Sequence, residues 1–156
     1  MSEIAVNGIV LSVMPMGEYD RRLELLTGEV GRISVFARGS RKATSASGSA
    51  ARVFAFGSFE LYMGKDSYSL RSANITNYFT EMSDDVERSF YGFYFLELCR
   101  YFSRENSPAY DMLNLLYLSL KALISDSYDN RLIRSIFEVK MLQINGICPD
   151  AEKVMS

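Results

Sequence analysis

Residues 31–42 read GRISVFARGSRK, and the way this stretch alternates decides the fold. Ile33, Val35 and Ala37 alternate with Arg32, Ser34, Phe36 and Arg38. A period of two puts one set on each side of a β-strand. One side is apolar and suited to a core. The other carries two arginines with a phenylalanine between them. The strand then runs into Gly39, Ser40, Arg41 and Lys42, a turn with two more cations. On a strand face, guanidinium groups hold phosphate while rings stack on bases, which suits single-stranded nucleic acid. The alternative is an ordinary solvated strand with one exposed ring.

Working outward, residues 4–13 hold the β-formers Ile4, Val6, Ile9 and Val10, interrupted by Asn7-Gly8. That pair reads either as a hairpin turn or as a bulge or bend in one long strand. Residues 14–19 (MPMGEY) read as a loop, residues 22–26 as a short second strand, and residues 27–31 as a tight turn into the third. On the other side, residues 43–51 (ATSASGSAA) are small and of low complexity. They can bury little and are expected to form a mobile loop. Residues 53–63 (VFAFGSFELYM) read as a strand with Phe59 and Leu61 on one side and Glu60 and Tyr62 on the other. Gly64-Lys65-Asp66 is a hairpin turn. Residues 68–79 are the last strand, with Leu70, Ala73 and Ile75 as core positions. Five short strands in about 80 residues predict a small barrel.

The period then changes. Asp84 can cap a helix, with Glu87 three residues on as in a capping box. Phe90, Phe93, Tyr94, Leu98 and Tyr101 recur at helical spacing and are expected to face a core. Ser107-Pro108 predicts a second start, a cap followed by proline at the first helical position. Leu113, Leu116, Leu120 and Leu123 then line one face. Asp129 or Asn130 opens a third helix through Ile133, Phe137, Met141 and Ile144, which Gly146 and Pro149 stop. The boundary falls near residues 79–83, giving a barrel at 1–80 and a helical domain at 81–156. One loop without a flexible linker implies that the two parts pack together.

Composition narrows the function. Of 156 residues, 48% are hydrophobic and 23% charged, a globular balance. No run approaches the roughly 18 apolar residues of a membrane span, and no basic segment with an apolar run marks a secretory signal. A cytoplasmic location and no membrane partner are expected. There is no histidine, which removes the commonest general base and the usual nucleophile triads. Cys99 and Cys148 are too far apart for a CxxC pair and read as reduced thiols. No metal or other cofactor is expected. Net charge is −2, but residues 1–80 hold nine Lys or Arg against seven Asp or Glu, and residues 81–156 hold eight against twelve. The positive field therefore lies on the N-terminal half.

Enzyme readings are thin. Glu18 and Asp20 beside Arg21 and Arg22 read as charge-paired loop residues, Asp84 and Asp85 suit a helix start, and Gly39-Ser40-Arg41-Lys42 lacks the GxxxxGK spacing of a phosphate loop. A binding role is better supported. A five-stranded barrel with a basic and aromatic strand has the outline of an OB-fold, whose second and third strands bind oligonucleotides. Arg32, Arg38, Arg41 and Lys42 would contact phosphate, and Phe36 and Tyr19 would stack on bases. Arg52, Lys65 and Arg71 are outlying cations. An OB-fold usually carries a helix between its third and fourth strands, where this chain has the Ala/Ser stretch.

Four stretches in order resemble a known family, the bacterial recombination mediators of the RecO type. They are Gly8-Ile9-Val10-Leu11 with Gly17-Glu18-Tyr19-Asp20-Arg21; Thr27 and Gly31-Arg32 with Ala37-Arg38-Gly39 and Arg41; Phe59-Glu60-Leu61-Tyr62; and residues 137–142 (FEVKML) up to Asn145-Gly146. The resemblance implies an all-β plus all-α chain, an N-terminal five-stranded OB-fold barrel followed by a small helical domain. It implies a non-enzymatic protein of recombinational repair, cytoplasmic and nucleoid-associated. Such a protein binds single- and double-stranded DNA, anneals strands, and acts with RecR to help load RecA onto strands coated by single-strand-binding protein. It places Arg38, Gly39 and Arg41 on a DNA-contact motif. It places Glu18, Asp20 and Arg21 on a motif that shapes the loop between the first two strands; Arg21 is also counted among the DNA-binding candidates. Many members run longer and carry a four-cysteine zinc site. This chain stops soon after Cys148-Pro149, so a truncated or incomplete helical domain is expected, with an exposed apolar patch on the last helix as its sign. The rival reading is a module that binds a polypeptide, such as the tail of single-strand-binding protein. Its place would be a groove in the helical half near Arg100, Arg131 and Arg134.

Overall fold

A computed structural model describes residues 2–41 and 48–147. Lys42, most of the Ala/Ser stretch, Cys148 and Pro149 lie outside the described residues. Among the described residues five strands come first: β1 (Ser2–Met16), β2 (Asp20–Thr27), β3 (Gly31–Ala37), β4 (Phe56–Met63) and β5 (Tyr68–Asn77). They close into a barrel in the order β1-β2-β3-β5-β4. Every pairing is antiparallel except β3 with β5, where Val35 meets Tyr68 and Phe36 meets Ser69. This is the expected OB-fold.

β1 is long because it serves two neighbours. Ser2 to Ile9 pair with β4, and Gly8 to Met16 pair with β2. Asn7-Gly8 is therefore no hairpin turn; it lies in mid-strand, where the two partners overlap. A Cβ on Gly8 would stand 2.5 Å from the Leu26 carbonyl oxygen, so only glycine lets the strands approach there. The register shift sits just beyond, between Val10 and Ser12.

Ile9-Val10-Leu11 is a continuous apolar run because both of its sides are covered. Val6 and Val10 point into the barrel with Leu23, Leu25, Ile33, Val35, Phe59 and Leu61. Ile9, Leu11 and Leu26 point outward into a second core shared with the helices. A 3-10 helix (Thr80–Asp84) leads into α1 (Val86–Phe102), α2 (Tyr110–Ser125) and α3 (Asn130–Ile144). Their core holds Phe79, Phe95, Leu116, Leu120 and Phe137. The rings of Phe95 and Phe137 stack at 4.1 Å. Leu113, Leu116, Leu120 and Leu123 are all buried, as their spacing predicts.

Several expectations are corrected. β4 begins at Phe56, not at residue 53. The chain before it turns through Phe54, whose φ is +76°, and bonds back to Val10. β5 ends at Asn77, and Phe79 goes into the helical core. Ala50 and Ala51 are buried, so the end of the small-residue stretch does contribute to packing. The cap of α1 is Asp85, whose carboxylate accepts the Arg88 amide at 3.0 Å, since Asp84 is taken up by the 3-10 helix. α2 starts two residues later than Ser107-Pro108 predicts, at Tyr110, because the Ala109 amide first bonds to the Gly28 carbonyl across the junction. The face of α1 is also rotated. Phe90, Phe93 and Tyr101 are exposed, while Gly92, Phe95, Leu96 and Cys99 are buried. Asp129 caps α3 as expected, and Gly146 follows its end at φ +68°. Leu132, Ile136 and Val139 form an exposed apolar stripe on that helix.

Candidate nucleic-acid interface

Alternation fixes which side chains of β2 and β3 face outward. On β3 they are Arg32, Ser34 and Phe36; on β2 they are Arg22 and Glu24. Register sets Arg22 directly across from Phe36 and Glu24 across from Ser34. Arg22, which the sequence reading passed over for its neighbour, donates to Ser34 Oγ at 3.0 Å and lies on the exposed face. The signal was available, because adjacent residues of a strand point to opposite sides and Arg22 shares its side with Glu24.

The candidate residues separate into two groups. At one end of β3, Arg32 is engaged by the helical half. Its Nε donates to Ser103 Oγ at 3.1 Å, and its Nη1 stands 3.6 Å from Glu24. The second oxygen of Glu24 accepts Arg100 Nε at 2.6 Å, and that hydrogen bond holds the Arg100 pKa above the usual arginine value. Arg32 and Arg100 thus flank one carboxylate where α1 meets the barrel. Arg32→Ala is expected to cost about 1 kcal/mol of stability, seen as a lower melting temperature, with oligonucleotide affinity within twofold of the parent.

At the other end lie Arg22, Phe36, Arg38 and Arg41. The turn after β3 is tied to the loop after β1. Asp20 Oδ1 accepts the Gly39 amide at 2.7 Å, and Arg21 Nη1 donates to the Ser40 carbonyl at 2.9 Å. The Arg41 amide donates to the Tyr19 carbonyl at 2.8 Å, and the Arg41 guanidinium reaches the Gly17 carbonyl. Gly17 and Gly39 take φ +63° and +68°, which glycine adopts without strain. Arg38 is exposed and has no hydrogen bond or ion pair among the described residues. The Tyr19 ring is largely exposed on the same rim. Arg21 faces the turn and shapes it. Beyond Phe36, a cavity of about 350 Å³ opens between the β4–β5 hairpin and the α1–α2 loop, lined by Ser34, Lys65, Asp66, Tyr68, Glu105 and Asn106.

The helical candidates do not converge. Arg100 is held by Glu24 and Glu97, Arg131 by Asp129, and Arg134 by Glu138 while it lies over the Tyr94 ring at 5.3 Å. A separate apolar groove of about 440 Å³ runs between α2 and α3, lined by Leu115, Leu118, Leu132 and Ile136 with Asp111 and Lys140 at its edge. Of the outlying cations, Arg52 lies over the Tyr78 ring at 5.2 Å, and Arg71 pairs with Glu3 and Glu60. No helix among the described residues is long and apolar enough to cross a membrane.

A closed OB barrel with this basic rim, followed directly by helices, matches two family models in order. The first, Recombination protein O N terminal, covers residues 1–79, and the second, Recombination protein O C terminal, covers residues 83–154. The chain belongs to the Recombination protein O family. Among curated proteins it is similar to the DNA repair protein RecO of Caldicellulosiruptor bescii, with 32% identity over 146 residues, 94% of this chain and 59% of that protein. It is similar to that of Acetivibrio thermocellus, with 28% identity over 149 residues, 96% of this chain and 59% of that protein. The Listeria monocytogenes serovar 1/2a protein of the same name is 28% identical over 146 residues, 94% of this chain and 57% of that protein. The chain thus spans less than two thirds of the length of these relatives. In the RecO family frame, the joined motifs at residues 17–21 and 37–41 form one stitched unit of structure.

Proposed function

We propose that this chain is a DNA-binding protein of recombinational repair that uses the Arg22, Phe36, Arg38 and Arg41 end of the barrel. The observation that carries the reading is Arg38, exposed and unpaired among the described residues, on a turn whose backbone is held by three hydrogen bonds, to Asp20, Arg21 and the Tyr19 carbonyl. The arginines capture phosphate on single- or double-stranded DNA. Phe36 and Tyr19 add stacking where the bases are open. Such a surface leaves the Watson–Crick edges of a captured strand outward, which suits annealing. Family membership supports the further assignments: action with RecR, assistance of RecA loading on strands coated by single-strand-binding protein, a cytoplasmic setting near the nucleoid, and no catalytic turnover.

The test is anisotropy of a labelled single-stranded oligonucleotide titrated across a salt series. Three arginines at about −0.7 each predict a slope of log affinity against log salt near −2. Joint replacement Arg38→Ala and Arg41→Ala is expected to bring the slope near −0.7 and to weaken binding roughly 10- to 30-fold at 0.1 M salt. An unchanged slope in the double variant would move the site off this rim.

A second reading rests on the α2–α3 groove, whose exposed Leu118, Leu132 and Ile136 suit an apolar peptide. Its occupant would be a polypeptide such as the tail of single-strand-binding protein. Binding of that synthetic tail, with no binding of DNA, would favour it over the first reading.

A further inference from the structure

The β2–β3 ladder ends at the pair Arg21 and Ala37. Past this point one main-chain bond joins the two segments, from the Arg41 amide to the Tyr19 carbonyl at 2.8 Å, and it leaves the Gly39 amide and the Ser40 carbonyl without a main-chain partner across the ladder. Side chains fill these two positions. Asp20 Oδ1 meets the Gly39 amide at 2.7 Å, where a neighbouring strand would have offered a carbonyl. A carboxylate accepting an amide makes a charge-assisted bond, stronger than a neutral one. Arg21 closes the next step at Ser40, while the turn's own Ser40 amide to Ala37 carbonyl bond is long, at 3.4 Å.

We propose that Asp20 is a positioning residue for DNA, holding the Gly39 amide so that Arg38 is fixed in the orientation that meets a phosphate. This rests on the reading that the rim binds DNA. The charge of Asp20 makes the idea sharp. A carboxylate beside a phosphate-binding turn repels the ligand, so a purely electrostatic view gives removal of Asp20 tighter binding. A positioning role gives the opposite sign, because an unheld turn must be ordered at the moment of binding.

Three forms of the chain decide between these views: the parent, Asp20→Ala and Asp20→Asn. Asparagine keeps a carbonyl acceptor for Gly39 without the charge. Well below the melting temperature of each form, Asp20→Ala is expected to weaken single-stranded oligonucleotide binding roughly three- to tenfold, and Asp20→Asn to restore it. Hydrogen exchange at the Gly39 amide is expected to quicken in Asp20→Ala and to slow again in Asp20→Asn. In an Arg38→Ala background, Asp20→Ala is expected to add no further loss. Equal or tighter binding by Asp20→Ala overturns the proposal, as does a loss of the same size with Arg38 already removed. If the parent itself binds no oligonucleotide, the DNA reading fails and the positioning role with it, while Gly39 exchange still reports whether Asp20 holds the turn.

Discussion

Phe137→Ala is expected to destabilise the helical half more than any other single truncation in the chain. Phe137 is fully buried, and its ring stacks on Phe95 at 4.1 Å with an interplanar angle of 16°. It sits where α3 meets α1, and the same core continues through Leu116 and Phe79 to Ile9 and Leu26 of the barrel. Truncating a buried phenylalanine costs about 3–5 kcal/mol, and losing an aromatic pair adds roughly 0.5–1.5 kcal/mol. Domains of this size are stable by only about 5–15 kcal/mol, so the variant is left close to its threshold. The measurement is chemical denaturation followed by circular dichroism. A fall in the midpoint without a change in slope is expected if the whole chain melts together. A first transition confined to helical signal would show that the barrel survives alone. Phe90→Ala, on the exposed side of α1, supplies the contrast and is expected to stay within about 0.5 kcal/mol of the parent.

That contrast marks where the sequence was easy to read and where it was not. β3 was legible because one face is buried and the other wet, so alternation had a single interpretation. α2 was legible for the same reason, with one leucine stripe inside. α1 was not. It is aromatic on both sides, and Phe90, Phe93 and Tyr101 repeat at helical spacing as well as Phe95 and Cys99 do. What selects the buried side is Gly92, where a Cβ would stand 2.8 Å from Met82 Sδ and 3.1 Å from the Phe54 ring. Close approach to residues 10 and 38 positions away in the chain leaves no trace in local periodicity.

The candidate site shows the same division. Phe36 and Arg38 are where alternation puts them, and Arg22 could have been added from parity alone. Arg32 satisfies the same alternation, yet its guanidinium is taken by Ser103 and Glu24. The strand pattern specifies only that Arg32 faces outward. It does not specify that a helix end covers that part of the outward face. Asp20 is the converse case: its motif implies a role in the loop between the first two strands, while its hold on the turn after β3 appears only when two segments nineteen residues apart meet.

Gly31→Ala is expected to loosen the contact between barrel and helices, and it tests how that cover over Arg32 is held. Gly31 opens β3 at φ +71°. Its carbonyl accepts Thr27 Oγ1 at 2.8 Å, and its neighbour Arg32 donates its amide to the Arg104 carbonyl at 3.1 Å. The α1–α2 loop lies directly on the glycine. An added Cβ would stand 2.2 Å from the Arg104 oxygen and 2.4 Å from that of Ser107. Both are main-chain atoms and cannot rotate away. Left-handed backbone strain costs about 1–2 kcal/mol for an alanine, and forcing the loop outward costs about 1–3 kcal/mol more. Gly17→Ala separates the two contributions, because Gly17 has φ +63° with nothing within 4 Å of the new atom. It should show the backbone cost alone. The expected results are a larger loss of melting temperature in Gly31→Ala and faster hydrogen exchange at the Arg32 amide, with no change there in Gly17→Ala. Equal losses in the two variants would mean that the loop yields freely. The Glu24, Arg32, Ser103 and Arg100 contacts would then hold the helices to the barrel without help from the glycine.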